Sequence, residues 1–122
     1  MSNNVDHPAH YTGRNIGYEC IILAKHQYFC AGNVIKYLWR YKDKGNPAED
    51  LRKARWYARK AATRHEKTET SGRCGIIIRR LVSSTTGLER AAWYCIGRSD
   101  WHLVIEALNR MMEEEENDAQ AE

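Results

Sequence analysis

Apolar residues recur at helical spacing along most of the chain. Between residues 17 and 29 the sequence GYECIILAKHQYF has good helix formers and no internal breaker. Residues 21–23 would also suit a short strand, but the length of the segment favours a helix. The stretch Ala31-Gly32-Asn33 is expected to bend or break the chain, and its asparagine is a candidate N-cap for the next helix.

The second predicted helix has an apolar stripe and a polar one. Val34, Leu38 and Tyr41 share one side at helical spacing and should face the core. Gly45 is expected to close the helix. The other stripe consists of polar and aromatic residues, namely Asn33, Lys36, Tyr37, Arg40 and Lys44.

The third predicted helix has the clearest start signal in the sequence. Asn46 is placed as its N-cap and Pro47 as its first residue, with Glu49 and Asp50 in the first turn. The helix should run to about Arg64. Its inward positions are small or apolar, namely Leu51, Ala54, Ala58 and Ala61.

The second half of the chain gives weaker signals. The triplet Ile76-Ile77-Ile78 fits a strand or a buried turn of helix, and the sequence does not separate these. Two further helices are predicted at about 88–96 and 100–114, with Ser99 as a cap for the last. The regions so defined are 1–66 (an arm and three helices), a linker over 67–74, a C-terminal helical segment over 75–112 and an acidic, frayed tail over 113–122.

These patterns together predict an all-α fold. We expect a small helical bundle with an irregular, histidine-containing arm over residues 1–16, folded across the face that carries Lys36 and Arg40. At 122 residues one domain is expected. A small bundle offers little concavity, so a site between subunits, and hence a homo-oligomer, is the favoured arrangement.

Composition predicts a cytoplasmic protein. No apolar run approaches the ~20 residues of a membrane span, and the polar N-terminus lacks the features of a signal peptide. The four cysteines form no C-x-x-C pair, so reduced thiols packed as small hydrophobes are expected.

Charge is distributed unevenly within the net +3 of the chain. Residues 1–66 carry 12 Lys and Arg against 6 Asp and Glu, whereas residues 67–122 carry 7 against 10. A basic half attracts phosphates or other acidic ligands. Solvated faces would produce the same asymmetry, so charge alone does not assign a ligand.

The motif H-P-A-H-Y is the first candidate for chemistry. His7, His10 and Tyr11 could bind a metal, shuttle a proton or hydrogen-bond a phosphate or base. A zinc site would need two more ligands from scattered residues. An ordered arm whose imidazoles bond to backbone groups is the simpler alternative.

The motif G-N-V-I-K-Y-L-W-R places two cations four residues apart. Lys36 and Arg40 repel each other by a few tenths of a kcal/mol, so an anion is expected beside them. Lysine and arginine both suit phosphate recognition. A base could stack on the rings of the neighbouring aromatic residues, namely Tyr37, Trp39 and Tyr41. In the alternative, Trp39 and Tyr41 are core residues and the cations pair with Glu49 or Asp50.

The motif K-G-N-P-A-E-D-L-R-K-A-R-W-Y adds carboxylates to this basic region. Glu49 and Asp50 in a first helical turn are explained by capping, but beside phosphates they would also suit Mg²⁺. Lys53 and Tyr57 extend the same polar face.

These three motifs, in this order, closely resemble a family of small bacteriophage proteins. The family was long catalogued only as a domain of unknown function, and it includes the nucleotide kinase of a short-tailed coliphage. The resemblance covers residues 5–60 and extends to an acidic residue on the first helix, here Glu19. Residues 67–122 resemble no family we recognise.

The resemblance implies transfer of phosphate from a nucleoside triphosphate to a deoxynucleoside monophosphate in the cytoplasm of an infected bacterium. It implies catalytic roles for Lys36, Arg40 and Asp50, and Mg²⁺ held by Glu19, Asp50 or both. No G-x-x-x-x-G-K-[ST] loop is present, so another phosphate cradle is needed. The implied nucleotide-binding residues are His7, His10, Tyr11, Asn33, Lys36, Tyr37, Arg40, Lys44, Lys53 and Tyr57.

Other functions stay open from the sequence. A nucleotide-sequestering or host-interaction protein would need binding without catalysis. A nucleic-acid-binding protein would use Arg52, Arg55 and Arg59 with the nearby aromatic residues, and its affinity would fall steeply with salt. Pyrophosphate hydrolysis on Mg²⁺ carboxylates is less favoured, because the first half has few acidic residues.

Overall fold

The computed structural model describes residues 14–43 and 45–121, which form helices and no strand. This confirms the all-α prediction for those residues. The predicted site residues His7, His10, Tyr11 and Lys44 lie outside them. The six helices of the described residues are α1 (Cys20–Ala24), α2 (Phe29–Arg40), α3 (Pro47–Thr63), α4 (Gly72–Ser84), α5 (Gly87–Gly97) and α6 (Trp101–Ala121).

Helix α1 is shorter than predicted, and α2 begins earlier. Helix α2 starts at Phe29 and runs through Gly32 without a break. A Cβ on Gly32 would lie 3.2 Å from the carbonyl oxygen of Ala24, so this glycine permits the close approach of α1 and α2. The side chain of Asn33 donates to the carbonyl of Phe29 at 2.8 Å. The predictions of a break at residues 31–33 and of an Asn33 cap are therefore wrong.

Helix α2 ends at Arg40, several residues before the predicted stop at Gly45. The guanidinium of Arg14 donates to the carbonyl oxygens of Leu38 and Trp39 at 3.0 and 2.9 Å, which satisfies acceptors in the last turn. This cap comes from a distant part of the sequence. The apolar stripe is confirmed, because Val34, Leu38 and Tyr41 are buried.

Helix α3 matches its prediction. The side chain of Asn46 accepts a hydrogen bond from the backbone N–H of Glu49 at 3.1 Å, and Pro47 is the first helical residue. The helix ends at Thr63, with Arg64 as its C-cap. All four predicted inward positions, Leu51, Ala54, Ala58 and Ala61, are fully buried.

Helices α4 to α6 resolve what the sequence left open. Residues 76–78 lie within α4 and are helical. Helix α6 continues to Ala121, so the predicted tail is helical over residues 113–121. The predicted Ser99 cap is wrong: Asp100 Oδ1 accepts from the N–H of Leu103 at 3.3 Å, while Ser99 has a left-handed backbone (φ 59°).

The two halves of the sequence share one hydrophobic core. Trp39 of α2 and Trp93 of α5 are both buried and meet edge to face, with ring centroids 6.3 Å apart. Helix α3 also packs along α6. No helix in the described part of the chain combines the length and apolar character needed to cross a bilayer.

A buried carboxylate on α5 joins these halves through polar contacts. Glu89 accepts from Arg14 Nη2 at 2.5 Å, from Trp93 Nε1 at 3.0 Å and from the Tyr41 hydroxyl at 3.3 Å. Lys42 Nζ lies 3.2 Å from the same carboxylate. Burial acts to raise the pKa of Glu89, but Arg14, Trp93 and Lys42 more than offset this, so its pKa is lowered.

Candidate functional site

The candidate site lies along the contact between α2 and α3. The two helices run antiparallel, since Arg40 at the end of α2 meets Asp50 at the start of α3. Between them the rings of Tyr37 and Tyr57 stack, with centroids 6.0 Å apart and an interplanar angle of 14°. The polar stripe of α2 and the Lys53–Tyr57 side of α3 therefore form one surface.

Three cations surround the ring of Tyr37. Lys36 Nζ lies 4.5 Å from its centroid, Arg40 Cζ 5.0 Å and Lys53 Nζ 5.6 Å. We call Lys36, Arg40 and Lys53 the cation cluster. Lys36 and Arg40 point to the same ring, as their spacing predicts, and α3 adds a third positive charge. The ring face attracts each cation and offsets part of their mutual repulsion.

Two carboxylates partly neutralise this cluster. Asp50 is only 3% exposed, and its Oδ2 lies 3.6 Å from Arg40 Nε. Glu49 Oε1 lies 3.8 Å from Lys53 Nζ, with both side chains about half exposed. The alternative that Lys36 and Arg40 pair with Glu49 or Asp50 therefore holds for Arg40, while Glu49 pairs with Lys53 instead. Among the described residues, no carboxylate forms an ion pair with Lys36, so within that part of the chain its positive charge is not compensated by an ion pair.

Two of the three predicted stacking rings are part of the core. Trp39 packs against Trp93, and Tyr41 donates to Glu89 at 3.3 Å. Both are buried, so neither presents a face to a ligand. The expectation of base stacking on Trp39 and Tyr41 is wrong, and their core role is confirmed. Tyr37 stays half-buried beside the cations.

The other predicted nucleotide-binding residues of this face have mixed positions. Tyr57 stacks on Tyr37, as described, and is half-buried. Asn33 is one helical turn before Lys36 on α2, but its amide nitrogen already donates within the helix. This bond uses one N–H of the amide and leaves its second N–H and its oxygen for other partners.

The predicted metal residues lie at the beginnings of α1 and α3. Glu19 is the half-buried N-cap residue of α1, next to Cys20. Burial raises the pKa of the Cys20 thiol to about 12, against the opposing effects of Arg14, Lys36 and Arg40. The start of α1 is thus within electrostatic range of the cation cluster. The described residues contain no group of three or more His, Cys, Asp or Glu arranged to hold a metal ion, so Mg²⁺ stays a prediction.

Two exposed aromatic residues beside Tyr57 were not predicted as site residues from the sequence. Phe29 is 73% exposed and meets the Tyr57 ring edge to face at 5.9 Å. Trp56 is 54% exposed and meets the same ring at 5.0 Å. Helical spacing contained the signal, because position 29 precedes Asn33 and Tyr37 by four and eight residues. The mistaken helix start concealed it.

The arginines proposed for nucleic-acid binding lie on a different face of α3 from Lys53 and Tyr57. Arg55 donates to Asn109 Oδ1 of α6 at 2.7 Å. Burial, then Arg59 and Arg52, lower the pKa of Arg55. Arg55 is therefore used in the contact with α6, while Arg52 and Arg59 are exposed.

Comparison with known proteins gives one match. No curated protein and no solved structure matches the chain. One family model matches residues 5–59, a segment that covers α1, α2, most of α3 and every residue of the cation cluster. Over residues 5–59, a little less than half of its length, the chain is similar to the family described as a protein of unknown function (DUF3310).

Proposed function

We propose that the protein binds deoxynucleoside phosphates at the cation cluster and transfers phosphate to a deoxynucleoside monophosphate, as a phage nucleotide kinase-like enzyme. The observation that carries the proposal is the convergence of Lys36, Arg40 and Lys53 on one tyrosine ring, with Lys36 lacking a carboxylate partner among the described residues. A phosphate beside Lys36 would relieve the repulsion that these charges exert on one another.

The cluster suits phosphoryl transfer because that reaction depends mainly on positioning and on electrostatic stabilisation. Arg40 is held by Asp50 and is pre-oriented, whereas the ammonium groups of Lys36 and Lys53 sit on flexible stems and can follow the phosphate. Side chains thereby provide the cradle that backbone N–H groups provide in a P-loop.

Asp50 also fits a role beside a magnesium ion. Its buried Oδ2 faces Arg40 Nε at 3.6 Å but accepts no hydrogen bond within the described residues, and carboxylate oxygens are preferred Mg²⁺ ligands. With Glu19 it would hold the ion, and phosphate and water oxygens would complete the shell. The ion would supply charge neutralisation of the transferring group.

Sequestration without catalysis is the second candidate, because the same cluster would bind a nucleotide in either case. The two differ in product. Purified protein is incubated with a deoxynucleoside monophosphate, a nucleoside triphosphate and Mg²⁺, and the nucleotides are separated by chromatography. Formation of a deoxynucleoside diphosphate supports the kinase. Tight binding without product supports sequestration and contradicts catalysis.

Binding is tested by isothermal titration of each deoxynucleoside monophosphate and a nucleoside triphosphate into wild type and Lys36→Ala. Losing one charge-assisted contact should weaken affinity by about tenfold to a hundredfold, from ~1.5–3 kcal/mol. Lys25→Ala is the matched control, since Lys25 is exposed at the end of α1. The site is misassigned if Lys36→Ala binds as wild type does, and the function is wrong if wild type binds no nucleotide.

Arg40 needs a gentler substitution than alanine. Removing its side chain would leave the buried Asp50 without this ionic partner and would disturb the fold. Arg40→Lys keeps the charge but loses the planar fork, so we expect a lower kcat with a native melting temperature. An unchanged kcat would exclude a role for the guanidinium in transfer.

A further inference from the structure

An aromatic row leads away from the cation cluster along α2 and α3. Tyr57 lies between Tyr37 and Phe29, with ring centroids 6.0 and 5.9 Å from them. We use the name aromatic row for Phe29, Tyr57 and Tyr37. One end of the row carries the cation cluster, and the other end is the exposed ring of Phe29. The surface therefore changes from cationic to apolar along its length.

The exposed end is a pair of rings that residues 14–43 and 45–121 leave largely exposed. Phe29 and Trp56 both meet Tyr57 edge to face, and both remain more than half exposed. Burying such rings would normally be favourable, so their exposure beside a charged cluster indicates a binding surface. The other three tryptophans, all within the described residues, are buried.

We infer that Phe29 and Trp56 form the base-binding part of the site and that the ligand is a nucleoside monophosphate lying along the aromatic row. The inference rests on the proposed function and adds the position of the base. Phe29 precedes Lys36 by seven residues, which is about 10 Å along a helix axis. That span matches a nucleotide with its phosphate at the cation cluster, its sugar over Tyr57 and its base against Phe29.

Ring stacking explains why aromatic residues stand at this end. Bases stack on aromatic side chains with little dependence on base identity, because every base presents a π face. The Lys60 ammonium, 5.1 Å from the Trp56 ring centroid, would face electronegative edges of a bound base. The row therefore predicts affinity for nucleotides of several bases rather than strict selection of one.

A second copy of the chain fits this surface less well. A two-fold contact through this surface would set two copies of the same positively charged face against each other, and like charges across an interface oppose association. Two exposed rings also supply far less area than the ~1,000 Å² of a stable interface.

The test compares a deoxynucleoside monophosphate with 2-deoxyribose 5-phosphate, which carries the same phosphate and sugar without a base. Wild type should bind the deoxynucleoside monophosphate more tightly than 2-deoxyribose 5-phosphate. Phe29→Leu keeps an apolar side chain but removes the ring. It should lower the affinity for the nucleotide about fivefold to a hundredfold and leave the affinity for the sugar phosphate unchanged. Phe29→Tyr restores a ring and should retain affinity.

Matched variants separate the base from the phosphate. Lys36→Ala should weaken both ligands, because it removes a phosphate contact. Tyr94→Leu is the control, since Tyr94 is an exposed aromatic on α5 with Arg98 5.8 Å from its centroid. It should change neither ligand.

Tryptophan fluorescence gives a second measurement. Trp56 is the tryptophan that acrylamide can reach, so nucleotide binding should protect it from quenching. In Trp56→Phe the protection should disappear while a ring remains for the base.

Each outcome decides between the proposals. Equal effects of Phe29→Leu on both ligands, or none on either, would overturn the base-binding inference and leave the phosphate site standing. If Phe29→Leu changes a dimer to a monomer in sedimentation and leaves nucleotide affinity unaltered, the base-binding inference is also overturned. The surface is then an interface between two copies of the chain. Failure of wild type to bind either ligand would refute the proposed function itself.

Discussion

Replacing Glu89 by alanine should destabilise the protein more than any surface change. The carboxylate is buried and accepts hydrogen bonds from Arg14, Trp93 and Tyr41. Its loss leaves the mostly buried guanidinium of Arg14 without that counter-charge and the buried Trp93 N–H without an acceptor. Breaking a buried ion pair on one side costs about 3–5 kcal/mol. Glu89→Gln keeps an acceptor of similar shape and should cost about half as much.

The assay is urea unfolding followed by circular dichroism, with thermal melts as a second measure. At roughly 4 °C per kcal/mol for a chain of this size, Glu89→Ala should lower Tm by roughly 10–20 °C. The denaturant slope should not change, because the surface exposed on unfolding is the same. Glu106→Ala on the exposed side of α6 is the control and should stay within about 0.5 kcal/mol.

The pH dependence gives the same residue a second test. The pKa of Glu89 is lowered below its ordinary value of 4.5, so its ionisation stabilises the fold above that value. The stability is lost as pH falls through the lowered folded pKa. The difference in free energy of unfolding between wild type and Glu89→Gln should therefore be constant near neutral pH and become smaller below pH 4.5. If Glu89→Ala lowers the free energy of unfolding by less than about 1 kcal/mol, this account of the buried pair is refuted. A difference between wild type and Glu89→Gln that does not depend on pH would refute it as well.

Three smaller predictions follow from local geometry. Asn46→Ala removes the acceptor for the N–H of Glu49 and should cost about 1 kcal/mol in urea unfolding. Gly75→Ala places a Cβ against the carbonyl oxygen of Thr70 and should cost about 1–3 kcal/mol in the same measurement. Cys20, with its pKa raised to about 12 by burial, should resist a thiol-specific reagent at pH 8 until urea unfolds the protein, as read by peptide mass mapping.

Each of these has a matched control in the chain. Asn46→Asp retains a capping oxygen and should be close to neutral, so an equal loss in both variants would contradict the cap. Gly45→Ala meets nothing within 4 Å, and a cost as large as that of Gly75→Ala would contradict the steric argument. Rapid labelling of Cys20 in the native protein would show that its thiol is accessible.

The sequence predicted correctly the helices whose stabilising residues lie within one local segment. Helix α3 has its cap, its proline and its inward alanines within one segment, and it forms where expected. The start of helix α2 was predicted wrongly because the contacts that stabilise it come from distant parts of the chain. Gly32 normally weakens a helix, but here it permits contact with Ala24, and Glu66 Oε1 accepts from the N–H of Ala31 at 2.8 Å.

The site was predicted in part for the same reason. A spacing of four residues places Lys36 and Arg40 on one face in any helix. Whether Trp39 faces a ligand or the core depends on how many neighbours cover α2. Besides α1 and α3, helix α5 also covers α2, because its Trp93 lies against Trp39, and no local sequence pattern predicts this contact.

The C-terminal half positions the cation cluster although it contributes no residue to it. Helix α2 carries two of the three cations, and residues outside the family match support both of its ends, one of them through Arg14. Glu66 satisfies an N–H in its first turn, and Glu89 holds the Arg14 guanidinium that bonds to its last carbonyls. Binding groups act well only when their supporting contacts hold them rigidly. Glu66 and Glu89, beyond residue 59, therefore support the helix that directs Lys36 and Arg40 at one ring.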